Sequence, residues 1–332
     1  MNTRQRFLSV LNFEKPEGRL PMLEWAPWWD KTYCRWQNEG LPTTLTGDDL
    51  YDYFNLDRLE ILYVQPIGAG CPRPTHHGAS IIKNEADYQS IKKYLFTDKN
   101  LQNAITNAKR MKESHERGDF ALRVWLDGCF WFPRSLFGIE AHMYAFYDYT
   151  ELMHQMNDDL LRFNLRTLEA VFDILTPDMV GIGEDMSYNH GPMLSKEMYD
   201  AFIAPYYARY MPLIKERGIK ILVDTDGDVT QMLPWLVQSQ IDGIYPLERQ
   251  AGVDIAQIRK EYPQLIILGA YDKLVMSKGE SAMRAEFERL LPVMRSGGFI
   301  PSVDHQTPPE VSLENYRVYR RLFEEYCVKA VK

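Results

Sequence analysis

The sequence predicts an α/β protein: a closed (β/α)₈ TIM barrel, a single domain over residues 1–332 with loop insertions after the second and third strands. Three observations predict it. Eight short apolar runs alternate with longer segments of helical period. Such alternation implies right-handed crossovers and a parallel sheet, and 332 residues is an ordinary length for one closed barrel. Three of the runs also end in carboxylates or imidazole. A buried strand that finishes this way points those groups out of its carboxyl end, where parallel α/β folds bind ligands.

The first strand is expected at 20–25 (Leu20-Pro21-Met22-Leu23-Glu24-Trp25), the second at 59–64 and the third at 120–126. The fourth and fifth fall at 179–183 and 219–223, and the last three at 241–246, 265–270 and 299–303. Glu151 to Phe172 carries Leu152, Met156, Leu160, Leu161, Leu165, Leu168 and Val171 at near-helical spacing. Ser195 is the expected N-cap of a helix running to Lys215, which Pro205 and Pro212 should kink or divide. A further helix covers Ser281 to Met294 and closes at Ser296-Gly297-Gly298. Residues 65–84 are rich in Gly and Pro and read as a long loop with room for a small hairpin. Residues 127–149 are crowded with aromatics, and both insertions follow barrel strands, so both can cover the mouth.

Composition narrows the function. The net charge of −8 disfavours nucleic acid and anionic membranes as partners. Hydrophobic residues make up 45 % and charged residues 25 %, as in globular soluble proteins. Cys34, Cys71, Cys129 and Cys327 show no C-x-x-C spacing, against a disulfide scaffold or structural zinc finger, and a reducing cytoplasm fits. Residues 1–13 read as an amphipathic helix rather than a signal peptide, and no stretch approaches the roughly 20 apolar residues of a membrane span.

Ile219-Lys220-Ile221-Leu222-Val223 runs into Asp224-Thr225-Asp226, so Asp224 and Asp226 share a face. Two close carboxylates repel and need a cation or a proton between them, which points to a metal or an acid/base pair; the alternative is a helix cap or a turn with Gly227. Asp304-His305 follows the last strand and Glu184-Asp185 the fourth. One of Glu184 and Asp185 is expected to bind backbone amides while the other faces the mouth. Asp127, Asp272 and Glu248 occupy similar strand ends. Trp25 and Trp28, with Trp29, pack at the rim or wall an apolar pocket.

The chain resembles the uroporphyrinogen decarboxylase superfamily over nearly its whole length. The opening Thr3-Arg4-Gln5-Arg6-Phe7-Leu8, the Lys15-Pro16-Glu17-Gly18-Arg19 segment, Gly183-Glu184-Asp185-Met186 with Gly191-Pro192-Met193-Leu194-Ser195, and Gly298-Phe299-Ile300-Pro301-Ser302 carry the resemblance. It implies a (β/α)₈ barrel and either of two activities. One is decarboxylation of uroporphyrinogen, which uses an R-Q-A-G-R segment after the first strand. Here that place holds Trp25-Ala26-Pro27-Trp28-Trp29-Asp30-Lys31, with no arginine before Arg35. The other is methyl transfer with a corrinoid protein, on zinc held by H-x-C and a later Cys. By the resemblance, Asp224, Asp226 and His305 match those metal ligands, a harder set suited to an oxygen substrate.

The expectation is therefore a cytoplasmic methyltransferase-type enzyme acting on a small O-methyl or related substrate. Its divalent metal, zinc or similar, would sit on Asp224, Asp226 and His305; without metal the same groups would act as acid and base. Glu184, Asp185 and Asp226 are the catalytic candidates, and Trp25, Trp28, Asp127 and Asp272 the substrate-binding ones. The corrinoid would arrive on a partner protein, and a homodimer is compatible with this reading. Decarboxylation of a porphyrinogen or smaller acid, and a barrel that binds without turnover, are the alternatives.

Overall fold

A computed structural model of the chain describes residues 1–26 and 28–332; Pro27, in the Trp-rich stretch after the first expected strand, lies outside the described residues. The strands are β1 (Leu59–Val64), β2 (Ala121–Asp127), β3 (Met179–Gly183), β4 (Ser187–Tyr188), β5 (Gly191–Pro192), β6 (Lys220–Asp224), β7 (Gly243–Tyr245), β8 (Ile266–Tyr271) and β9 (Phe299–Val303). Seven of them form one parallel sheet in the order β1-β2-β3-β6-β7-β8-β9, and β4 pairs with β5 in a small antiparallel hairpin. All residues of β3, β8 and β9 are buried, which is why these runs are apolar throughout rather than alternating.

The sheet curls but does not close through an eighth strand. The segment 20–25, expected as the first strand, lies between the two sheet edges without joining either as a ladder. Its hydrogen bonds explain why. Pro21 has no N–H to give. The Met22 N–H donates to the Asp57 carboxylate at 2.8 Å, the Trp25 N–H to Ser302 Oγ at 3.4 Å, and the Trp25 indole to the Val303 carbonyl at 2.9 Å. Side chains thus satisfy donors that a ladder would have used. Leu20, Met22, Leu23 and Glu24 are nonetheless buried.

The amino end of the sheet is plugged by the helix Thr3–Leu11, which its Asn2–Gln5 capping box starts. Arg4 pairs with Asp178 just before β3 at 2.8 Å, and Arg6 with Asp57 just before β1 at 2.7 Å. Asp178 also accepts from His115 and from the Leu122 N–H, so the plug is tied to β2 as well.

The insertions take unexpected forms. Residues 65–84 make no hairpin of their own; Ile67 bridges to Leu95, and Gly68 N–H donates to Tyr94. The aromatic segment after β2 folds into two helices, Trp131–Phe137 and Ile139–Asp148. Thr150–Phe172 buries Leu152, Met156, Leu160, Leu161, Leu168 and Val171 as their spacing requires. Ser195 caps Lys196–Phe202, its Oγ accepting from Met198 N. A second helix, Ala204–Lys215, begins with Pro205 in its first turn and carries Pro212 without ending there. No helix among the described residues is long and apolar enough to cross a membrane.

Candidate functional site

The carboxyl ends of β2, β3, β6 and β9 surround a cavity of about 190 Å³ lined by Trp25, Trp125, Trp131, Gly183, Glu184, Asp185, Asp224, Asp226 and His305. The three charged strand ends that the sequence singles out therefore meet in one place. Two-residue alternation carries Asp224 and Asp226 to it while Thr225, between them, turns away and is buried. Thr225 Oγ1 accepts the Met186 N–H at 2.9 Å and sits 2.6 Å from Ser187 Oγ, locking the β6 end to the β4 turn.

Glu184 and Asp185 divide their roles. Glu184 is fully buried, and its carboxyl accepts from the N–H groups of Cys129, Phe130 and Trp131 and from the Tyr207 hydroxyl at 2.7 Å. Gly128 makes this possible: a Cβ there would lie 2.1 Å from the Glu184 carboxyl carbon. Burial pushes the Glu184 carboxyl up to about 7 against the pull of those four hydrogen bonds. Asp185 has φ 45°, a left-handed conformation that Asp tolerates better than most residues, and this turns its side chain away from its neighbour's. Arg134 holds it, bonding both its carbonyl and its Oδ2.

The rest of the mouth is crowded with carboxyls. Burial raises Asp224 well above the usual range, and Asp226 beside it adds to the rise. Asp226 reaches about 7, through burial first and then the charges of Glu248 and Asp185. Asp304 is fully buried and rises to about 6, with Lys273 Nζ at 3.3 Å holding it down. Glu248 moves the other way: burial opposes ionisation, but hydrogen bonds from Gln250, Lys273 and the Gly227 N–H bring it below the ordinary value. Five carboxyls thus face Lys273, Arg134 and Arg123.

His305 Nε2 stands 4.0 Å from Asp226 Oδ2, and its edge meets the Trp25 ring at 5.9 Å. Its Nδ1 accepts the Gln306 N–H at 2.8 Å. The neutral ring therefore carries its proton on Nε2, the nitrogen turned toward Asp226. Burial, followed by the charge of Lys273, lowers its pKa, so the ring is neutral at neutral pH.

This arrangement does not fit the expected metal. Among the described residues no three His, Cys, Asp or Glu side chains stand close enough to share an ion. A ligating histidine offers one nitrogen to the metal and donates an N–H from the other. Here the other nitrogen accepts an N–H instead, so Nε2 has no lone pair free. Asp224, Asp226 and His305 do converge on one cavity.

The substrate-binding candidates separate. Trp25 lines the cavity. Trp28 does not; it packs against Trp36, Tyr51, Phe54 and Tyr316 and faces a second cavity. Asp127 is raised to about 6 by burial at the end of β2. Asp272 is a correction: its carboxylate accepts the Leu274 N–H at 2.9 Å and caps the turn after β8. Four residues of the site escaped the sequence reading: Arg123, Lys273, Arg134 and Tyr207. Arg123 carried a signal, being one charge in the middle of an apolar strand. It is 2 % exposed, its guanidinium lies 5.1 Å and 5.3 Å from the Trp125 and Tyr245 rings, and its Nε and Nη1 have no hydrogen-bond partner among the described residues.

The sequence profile of the family described as Uroporphyrinogen decarboxylase (URO-D) matches residues 64–326. The chain belongs to the uroporphyrinogen decarboxylase family. Among solved structures it is similar to a methyltransferase from Methanosarcina mazei, at 15 % identity and a TM-score of 0.64, over 98 % of this chain and 99 % of that one. It is also similar to a protein described as a vitamin-B12-independent methionine synthase from Listeria monocytogenes, at 10 % identity and a TM-score of 0.48, over 93 % of this chain and 97 % of that one. At these identities the likeness is one of fold. No curated protein matches the sequence. The cavity described above lies at the carboxyl ends of the parallel strands, the end at which parallel α/β folds bind ligands.

Proposed function

We propose that the protein is a methyltransferase-type enzyme that removes a methyl group from the oxygen of a small methyl ether and passes it to a corrinoid carried by a partner protein. The observation that carries this reading is the Asp226–His305 pair in an acidic, tryptophan-walled cavity. Breaking an ether C–O bond leaves the electron pair on oxygen, and an alkoxide or phenoxide is a poor leaving group unless a proton arrives as the bond breaks. Burial and the charges of Glu248 and Asp185 raise the Asp226 carboxyl to about 7, so it can hold the proton it supplies near neutral pH. His305 offers its Nε2–H to the same oxygen. The methyl leaves as a cation equivalent to a nucleophile that brings both electrons of the new bond, the reduced corrinoid of the partner. Asp226 then regains its proton from water.

A polyanionic substrate would find the cations of the mouth already engaged, Arg134 by Asp185 and Lys273 by Glu248 and Asp304. A helical arm beside the mouth exposes Tyr144 and Tyr147, 62 % and 72 % accessible, a surface suited to a docking protein. The test is a single-turnover assay with a methoxyarene and a reduced corrinoid protein. Methylcorrinoid and the demethylated alcohol in equal amounts support the reading; neither product sinks it. Dialysis against zinc decides the proton-donor reading from the metal expected by resemblance. Stoichiometric zinc, lost with Asp226→Ala and His305→Ala, would replace proton donation by a metal. The family match favours one rival, decarboxylation of a porphyrinogen or smaller acid. Carbon dioxide released from such an acid would decide for it.

A further inference from the structure

The mouth cavity, about 190 Å³, is below the roughly 300–1,000 Å³ of sites that enclose a whole small molecule. It holds a reacting group, not a ring. Beside it lies a larger cavity of about 500 Å³, and Trp25 lines both. This second space exists because the barrel does not close. Strand register pairs Ile61 with Arg123 and Tyr63 with Trp125, so Leu59, Ile61 and Tyr63 lie on the bore-facing side of β1. In a closed barrel that face would be filled. Here Leu59 and Ile61 are only half covered and Tyr63 is 49 % exposed. Across the gap stand Trp28, Tyr33 and Tyr51.

We infer that this seam cavity is the berth for the aromatic ring of the substrate, an uncharged or cationic methoxylated ring whose ether group reaches past Trp25 into the carboxyl mouth. The inference rests on the methyl-transfer reading for the identity of the ether group, but the berth itself is a binding site measurable without turnover. Two features select the class. Ring faces and edges line the cavity on both sides, the surface that stacks and edge-packs a flat ligand. Its charged lining is Asp30, Asp48 and Glu60 against Arg58, and Arg58 is already engaged by Asp52 at 2.5 Å and Asp48 at 3.7 Å. Glu60 has no hydrogen-bond or ion-pair partner among the described residues, and burial, then Asp48, raises its carboxyl. A ring carrying a carboxylate would add negative charge to this wall and is disfavoured.

The test uses the full-length protein with no corrinoid present and titrates 1,2-dimethoxybenzene and 4-methoxybenzoate by calorimetry. The expected result is that the neutral ring binds at least tenfold tighter than the benzoate. Ile61→Trp, which fills the seam, weakens the neutral ring at least tenfold, and Tyr63→Ala weakens it severalfold. Circular dichroism and melting confirm that each variant is folded, and Tyr63→Ala carries the test should Ile61→Trp fail to fold. Equal binding of the two probes, or neutral-ring affinity unmoved by the seam substitutions, overturns the inference. The two proposals fail separately. Seam-dependent binding without methyl transfer removes the proposed activity and keeps the berth. Methyl transfer with an unchanged KM in Ile61→Trp removes the berth and keeps the activity.

Discussion

At one edge of the sheet, all five residues of β9 are buried and every one is paired with β8. At the other edge, β1 has a full ladder to β2 but leaves Leu59, Glu60 and Ile61 half covered and Tyr63 in the open. The segment 20–25 accounts for the difference. It leans on β9, where Trp25 bonds Val303 and Glu24 bonds Ser302, and on the helix Leu313–Val331, whose Tyr316 hydroxyl donates to Glu24, and it stands off from β1 beyond Met22. The covered edge carries His305, the proton donor of the proposed reaction. The uncovered edge leaves room for a ligand. On the proposed reading, the chemistry lies by the packed rim of the sheet and the binding space by the open one.

The sharpest way to break this contrast is at the fixed side of the mouth. Asp226→Asn should lower kcat of the methyl-transfer assay about 10²–10⁴-fold while leaving the melting temperature at or above that of the parent. An unchanged kcat removes Asp226 from the chemistry. Next in size are the packing effects on the covered side. Phe299→Ala in β9 should cost about 3–5 kcal/mol in urea unfolding. Glu184→Ala, which strands three backbone N–H groups and the Tyr207 hydroxyl, should cost about 3 kcal/mol. Asp185→Asn, next in sequence but half exposed against Arg134, should cost about 1 kcal/mol or less. Equal losses at 184 and 185 would contradict the division of roles drawn above.

A smaller effect comes with pH. Glu24, Glu184 and Asp226 are each raised to about 7, and Asp127 and Asp304 to about 6. Groups whose folded pKa lies above the unfolded value leave the folded state holding more protons between about pH 4 and 7. Stability from these groups is therefore full below pH 4 and declines as pH rises to 7. Melting should be about 2–4 °C higher at pH 5.5 than at pH 8, and Asp226→Asn should flatten part of that slope. The rate should fall over the same range as Asp226 loses its proton. A rate that climbs through pH 7 instead would mean that the carboxylate form is the active one. Smallest of all, Tyr63→Ala on the open rim should change unfolding free energy by about 0.5 kcal/mol or less, against the severalfold loss of ring binding given above.

Much of this was legible before any coordinates. Seven of the eight expected strands fall within about two residues of those observed, because buried parallel strands announce themselves as short apolar runs. The convergence of Asp224, Asp226 and His305 followed from strand ends alone. The first expected strand, 20–25, misled for a physical reason. Its apolar pattern is that of a strand, but its N–H groups are met by Asp57 and Ser302, one of them some 280 positions away, and apolar periodicity carries no information about distant side chains. Which of Glu184 and Asp185 turns inward depended on the backbone sign at Asp185 and on the bare Gly128 above its neighbour, again a matter of space. Lys273 was hidden beside Asp272, which drew the attention and proved to be a cap.

Toward the mouth β3 presents glycines at 181 and 183, and its neighbours fill the space that side chains there would take. A methyl on Gly183 would sit 2.3 Å from the Trp125 ring, and one on Gly181 would sit 2.5 Å from the Tyr245 hydroxyl and 3.0 Å from Arg123. Trp125 and Arg123 of β2 and Tyr245 of β7 thus occupy the hollow that the β3 glycines leave. Changing the caliber of the chamber from either of those positions means moving the neighbours as well, whereas the rim at Tyr63 can be reshaped alone. Substitutions at Tyr63 should accordingly leave the fold intact where Gly181→Ala and Gly183→Ala disturb it.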